Sequence, residues 1–135
     1  MTYPISEIQR IGTDVAAILK SGGIRTTIGL LRVAKTPKQR LKIALKTGAP
    51  GKSVLDWVTA ADRMRVKGVG WEYAELLRAA GVRTVNELRF RNPKKLADVM
   101  GEVNTKRRLV RILPSVNTIT RWIEDAKKLP PVIRY

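Results

Sequence analysis

The sequence predicts an all-α protein, a compact multi-helix domain assembled from two related halves. Three observations carry that expectation. No stretch of the 135 residues alternates apolar and polar positions with the period of two that a half-buried strand needs. Helix start and stop signals punctuate the chain almost without a break. An offset of 58 positions also lays much of the first part on the second: Gly12 on Gly70, Ala16 on Ala74, Leu19 on Leu77, Gly23 on Gly81 and Leu30 on Leu88.

The elements follow in order. Ile8-Gln9-Arg10-Ile11-Gly12 is a turn that feeds a helix opening with Thr13-Asp14. Gly23 suits the C-terminal stop of that helix, because glycine adopts the left-handed conformation such stops require. Thr26 is the N-cap of a second helix and Thr36, followed by Pro37 at the first helical position, that of a third. Thr47-Gly48 closes the third helix, and Gly51 to Ser53 begin a fourth that carries Trp57 on its apolar stripe. Val66-Lys67-Gly68-Val69-Gly70 then repeats the opening turn and runs into Trp71-Glu72-Tyr73-Ala74. Gly81 is the matching stop, and Thr84 with Glu87 has capping-box spacing. After a small slip, Asn92-Pro93-Lys94 answers Thr36-Pro37-Lys38. An insertion around Lys106 to Pro114 precedes a last helix capped by Ser115, striped by Val116, Ile119, Trp122, Ile123, Ala126 and Leu129, and ended by Pro130-Pro131. The count is roughly eight to ten short helices. Trp57 and Trp122 occupy matching places and are expected in the core. The halves divide at 1–63 and 64–135; each is too small to fold securely alone, so one compact unit is expected.

Composition narrows the function. Hydrophobic residues make up 44% of the chain, enough to bury a core. Lys and Arg number 27 against 11 Asp and Glu, a formal net charge of +16. The excess is spread evenly: residues 1–63 hold 11 basic and 4 acidic residues, the remainder 16 and 7. Charge of this size points to an anionic partner and says nothing of fold. There is no cysteine and no histidine, which removes disulfides, thiolate chemistry and the commonest acid–base and metal-binding side chain. No signal pattern or membrane-length apolar run is present, so a cytoplasmic location away from membranes is expected.

Chemistry concentrates at the doubled turn. A glycine before a helix leaves the first amides of that helix pointing outward at the positive end of its dipole, a natural anion site. Arg10, Ile11, Gly12 and Thr13 form the first such site, and Lys67, Gly68, Val69, Gly70 and Trp71 the second. Asp14 and Glu72 fall in the first helical turn beyond each glycine, where an acid stabilises the helix and competes for the same amides. Lys38, Lys42 and Lys46 recur at i, i+4 and i+8 on one helix face, with Leu41, Ala44 and Leu45 expected towards the other; Lys106, Arg107, Arg108 and Arg111 form a second cluster. Such residues would contact phosphate, which gives affinity without sequence choice. Trp71 is the one aromatic at a turn, too few for a single-strand stacking surface. Gly48-Ala49-Pro50-Gly51-Lys52-Ser53 ends like a phosphate-binding loop, but two residues separate its glycines where four are needed, and no strand precedes it. The acids are scattered and supply no converging metal site, so neither catalysis nor a cofactor is expected.

The doubled turn resembles the helix-hairpin-helix motif. The second copy matches it through Gly68, Val69, Gly70, Ala74 and Leu77; the first departs, with Arg10 in place of the first glycine. Tyr3 to Ile8, Ala61 to Gly70, Leu113-Pro114-Ser115 and Trp122-Ile123 together resemble a family of uncharacterised, mostly bacterial proteins built on a duplicated hairpin of this kind. The motif resemblance implies loop amides holding DNA phosphates, with tandem copies straddling the minor groove. Some proteins with such hairpins are DNA glycosylases, but the acid and lysine context of those enzymes is missing here. The expectation is therefore a non-enzymatic, sequence-independent binder of double-stranded DNA. Structured RNA remains an alternative partner, as does an acidic protein docked on hairpins that serve only as connectors.

Overall fold

A computed structural model describes residues 1–135. Two 3-10 turns, Ile5–Glu7 and Gln9–Ile11, lead into eight α-helices and no strand. The helices are α1 (Thr13–Ser21), α2 (Thr27–Val33), α3 (Pro37–Thr47), α4 (Gly51–Arg63), α5 (Trp71–Ala79), α6 (Val85–Leu88), α7 (Pro93–Arg107) and α8 (Val116–Lys128).

Local signals set the boundaries. Thr26, Thr36, Thr84, Asn92 and Ser115 each accept an amide hydrogen bond from the first turn of the helix they precede. Glu87 completes a capping box with Thr84, and Gln39 completes another with Thr36. The ends of α1 and α5 are alike in detail. Gly23 and Gly81 sit at φ +89° and +92°. The Ile24 amide donates to the Leu19 carbonyl and the Val82 amide to the Leu77 carbonyl, both at 2.9 Å. These are Schellman endings, in which the apolar residue after the glycine folds back on the last turn.

Packing partners recur along the chain. α1 lies against α3, α2 against α4 and α3 against α4; α5 lies against α7, α6 against α8 and α7 against α8, with α4 joined to α5. A single cluster of buried apolar side chains runs from Ile5 to Ala126 and takes in both Trp57 and Trp122. α3 departs from the expected facing. Ala44 is buried, but Leu41 and Leu45 are 58% and 76% exposed, and Arg40 has the inward place beside Ile43. The Arg40 guanidinium donates to the carbonyls of Ala34, Lys35 and Arg134. It thereby holds the C-terminal segment to the start of α3, and those three carbonyls repay its loss of water.

The end of α4 holds two buried charges. The Asp62 carboxylate accepts the Val85 amide at 2.8 Å and pairs with Arg65. Arg63 donates to the carbonyls of Ala74 and Arg83 at 2.8 and 3.0 Å. Together they fix the direction in which α5 and α6 leave α4. Burial pushes the Asp62 carboxyl above the usual carboxylate value, against the opposing pull of the Val85 amide and Arg65. A group that holds its proton more tightly when folded favours folding at low pH and loses that advantage as pH rises through its folded pKa. The wild-type protein is therefore expected to gain melting temperature relative to Asp62→Asn as pH falls from neutral to about 4. A difference that stays constant over that range would contradict the account.

Candidate nucleic-acid interface

The first turn is built on buried isoleucines. Ile8 and Ile11 anchor the 3-10 segment in the core, and Gly12, at φ +79°, starts α1. The first helical bond runs from the Ala16 amide to the Gly12 carbonyl, so the amides of Thr13, Asp14 and Val15 have no partner within the helix. No side chain caps them, and Asp14 points to solvent. The Ile11 side chain is in the core, so only its backbone is available to a ligand. Gly12 and Thr13 line an open recess with Ser6, Gln9 and Lys20.

The second turn has the same ground plan and a different neighbour. Val66 and Val69 are buried, Gly68 sits at φ +88°, and the Ala74 amide donates to the Gly70 carbonyl. No side chain caps α5, so Glu72 leaves its first amides uncovered. Asp125 of α8 intervenes instead: its carboxylate accepts the Lys67 amide at 2.9 Å. One amide of this turn is thus already occupied by an acid. Lys67 and Gly68 form one wall of an open groove of about 510 Å³; Arg121, Lys128, Glu124 and Asp125 of α8 line the opposite wall. Its floor is Trp122, whose ring lies 5.2 Å from that of Tyr73. A side chain on Gly68 would approach the Trp122 indole nitrogen at 3.5 Å, so the turn packs closely on α8.

The two turns open on adjoining ground. Gln9 and Arg10 from the first line the same recess as Trp71, Glu72 and Glu75 from the second, together with Arg78 and Arg107. Arg10 bridges the turns directly, donating through Nε to the Glu75 carboxylate. Its charge is partly spent inside the protein, and the recess carries two carboxylates beside three guanidinium groups. Trp71 is half-buried at the edge of this recess and packs on the core.

The remaining basic residues fall in two places. Arg107, at the end of α7, joins the shared recess; Lys106, Arg108 and Arg111 are exposed nearby in sequence, Arg108 in the left-handed conformation that ends the helix. Lys38, Lys42 and Lys46 are exposed on α3. The Lys46 ammonium lies against Gly22, at the far end of α1 from Gly12. None of these seven residues takes part in an ion pair. Four cations beside the turns were not singled out from sequence: Lys20, Arg78, Arg121 and Lys128. Arg121 and Lys128 are seven apart on α8, a spacing that puts both on one helix face and was legible in principle.

A family model described as "Domain of unknown function (DUF4332)" matches residues 9–129. Comparison with curated proteins and with solved structures gave no match.

Proposed function

This chain belongs to the DUF4332 family, and from its geometry we propose a tandem helix-hairpin-helix module, residues 1–63 and 64–135, that binds double-stranded DNA without sequence preference and without catalysis. The observation that carries the reading is the shared recess: residues of both glycine turns line one opening, each beside helix amides that no side chain caps. The matched Schellman endings and recurring helix pairings support the duplication. Two open helix starts joined by a recess that Gln9 and Arg10 share with Trp71 and Glu72 can each hold a phosphate of the same duplex.

In this mechanism the backbone does the positioning. Amides of Thr13 and its neighbours take one phosphate and those following Gly70 take another, while Lys20, Lys67, Arg107 and Arg121 supply the surrounding field. The acids set the limits: Glu75 restrains Arg10, and Asp125 occupies the Lys67 amide. Contacts of this kind give register and affinity and carry no base readout.

Salt titration of binding to a mixed-sequence duplex tests the proposal. Affinity is expected to fall with a log–log slope of roughly −0.9 for each phosphate neutralised. A flat dependence, or no binding at low salt, would overturn it. Stronger competition by duplex RNA than by duplex DNA would transfer the site to RNA, whose grooves and 2′-hydroxyls differ.

A further inference from the structure

The outer surface of α3 is neither a plain solvated face nor a plain phosphate-binding one. The helix holds Lys38, Arg40, Lys42 and Lys46 and no acidic residue. Arg40 is turned inward on backbone carbonyls. The three lysines are exposed and without an ion pair, and beside them stand the exposed Leu41 and Leu45. Leucines one turn apart form a continuous ridge, the kind that fits the groove of another helix. With Arg40, Ile43 and Ala44 facing the core and about 100° of rotation per residue, Lys38, Lys42 and Leu45 stand at the crest. Leu41 carries the apolar ridge down one flank, and Lys46 stands on the other. Lys46 rests on Gly22 of the α1 terminus, so the leucine flank opens away from α1.

We propose that this flank docks an acidic amphipathic helix of a partner protein, which covers Leu41 and Leu45 and pairs its carboxylates with Lys38 and Lys42. Charge complementarity selects that occupant. A second copy of this chain carries +16 itself and brings cation against cation. A DNA backbone has no apolar edge to cover leucine. A bilayer would have to take up Lys38 and Lys42 together with Leu45, whereas an interfacial helix points an unbroken apolar face into the lipid. The site is separate from the hairpin recess, since Lys46 and Gly22 mark the end of α1 opposite Gly12. The protein can therefore hold a protein partner while its turns hold nucleic acid, the arrangement of an adaptor.

The test uses the whole chain and a synthetic amphipathic helix of about five turns, leucines along one stripe and glutamates beside it, followed by fluorescence anisotropy. Wild-type protein is expected to bind this peptide, more weakly as salt rises. Leu41→Gln with Leu45→Gln is expected to weaken peptide binding at least tenfold while leaving melting temperature and duplex-DNA binding unchanged, because both positions are exposed and the net charge stays the same. Equal binding by the double variant would overturn the proposal. So would equal binding of a peptide with the same composition in scrambled order. Binding to phosphatidylserine vesicles that the same variant abolishes, without peptide binding, would assign the flank to a membrane surface instead.

Discussion

Arg63→Ala is expected to lower the unfolding free energy by about 3–5 kcal/mol, enough to leave a domain of this size marginal. The side chain is 2% exposed and bonds to the Ala74 and Arg83 carbonyls, on α5 and on the turn before α6. Its burial drives the guanidinium pKa down to about 10, opposed chiefly by Glu75. Two terms oppose one another in the substitution. Removing the cation returns its desolvation penalty, while the protein loses two charge-assisted hydrogen bonds and gains a cavity. The loss outweighs the return, since the Arg83 carbonyl is left unpaired at about 1–3 kcal/mol, the Ala74 carbonyl keeps only its bond within α5, and the cavity adds a comparable amount. Arg63→Met separates the terms: it refills most of the space and restores neither bond. Thermal and urea unfolding should place Arg63→Met between wild type and Arg63→Ala. A methionine variant as stable as wild type would show that the carbonyl bonds contribute nothing net.

Gly70→Val is expected to weaken duplex-DNA binding about tenfold, some 1.4 kcal/mol, with helical content retained. The structure makes Gly70 a cleaner probe than the other turn glycines. Gly12 and Gly68 sit at positive φ, where a β-branched residue is strained whatever else it does. Gly70 has φ −87° and ψ −167°, a conformation open to any residue, and a Cβ there meets nothing within 4 Å. A valine costs the helix start no more than about 1 kcal/mol and covers the amides that follow it. Lys127→Ala is the control: Lys127 is exposed on α8, already paired with Glu124, and its loss should change affinity less than twofold. Asp125→Asn should move affinity the other way, because it removes a negative charge beside the Lys67 amide and keeps an oxygen acceptor. Equal losses for Gly70→Val and Lys127→Ala would take the hairpin out of the mechanism.

How much was legible follows from the range of each interaction. Thr26, Thr36, Thr84, Asn92 and Ser115 were identified as caps and act as caps, because a capping oxygen reaches an amide only two or three residues away. Trp57 and Trp122 were expected in the core and are there, since their positions follow from helix periodicity. α3 shows where periodicity fails. Leu41 and Leu45 gave way to Arg40 because three backbone carbonyls, one of them from Arg134, satisfy the guanidinium inside. No pattern within eleven residues can announce a partner 94 positions later. Arg63 is a similar case: a charged residue at the end of a helix reads as exposed until Arg83 is folded against it.

The sequence alone determined that this chain is helical, where most of its helices begin, and that it carries a formal net charge of +16. Those properties rest on glycine and proline conformations, on caps acting within a turn, and on composition, all of which survive without knowing what packs on what. Tertiary structure alone decided which cations are free and which amides are open. Arg10 is tied to Glu75 across 65 positions and Lys67 to Asp125 across 58. The availability of a charge or an amide depends on what lies within a few ångströms of it, and in a folded chain that neighbour is supplied by segments remote in sequence.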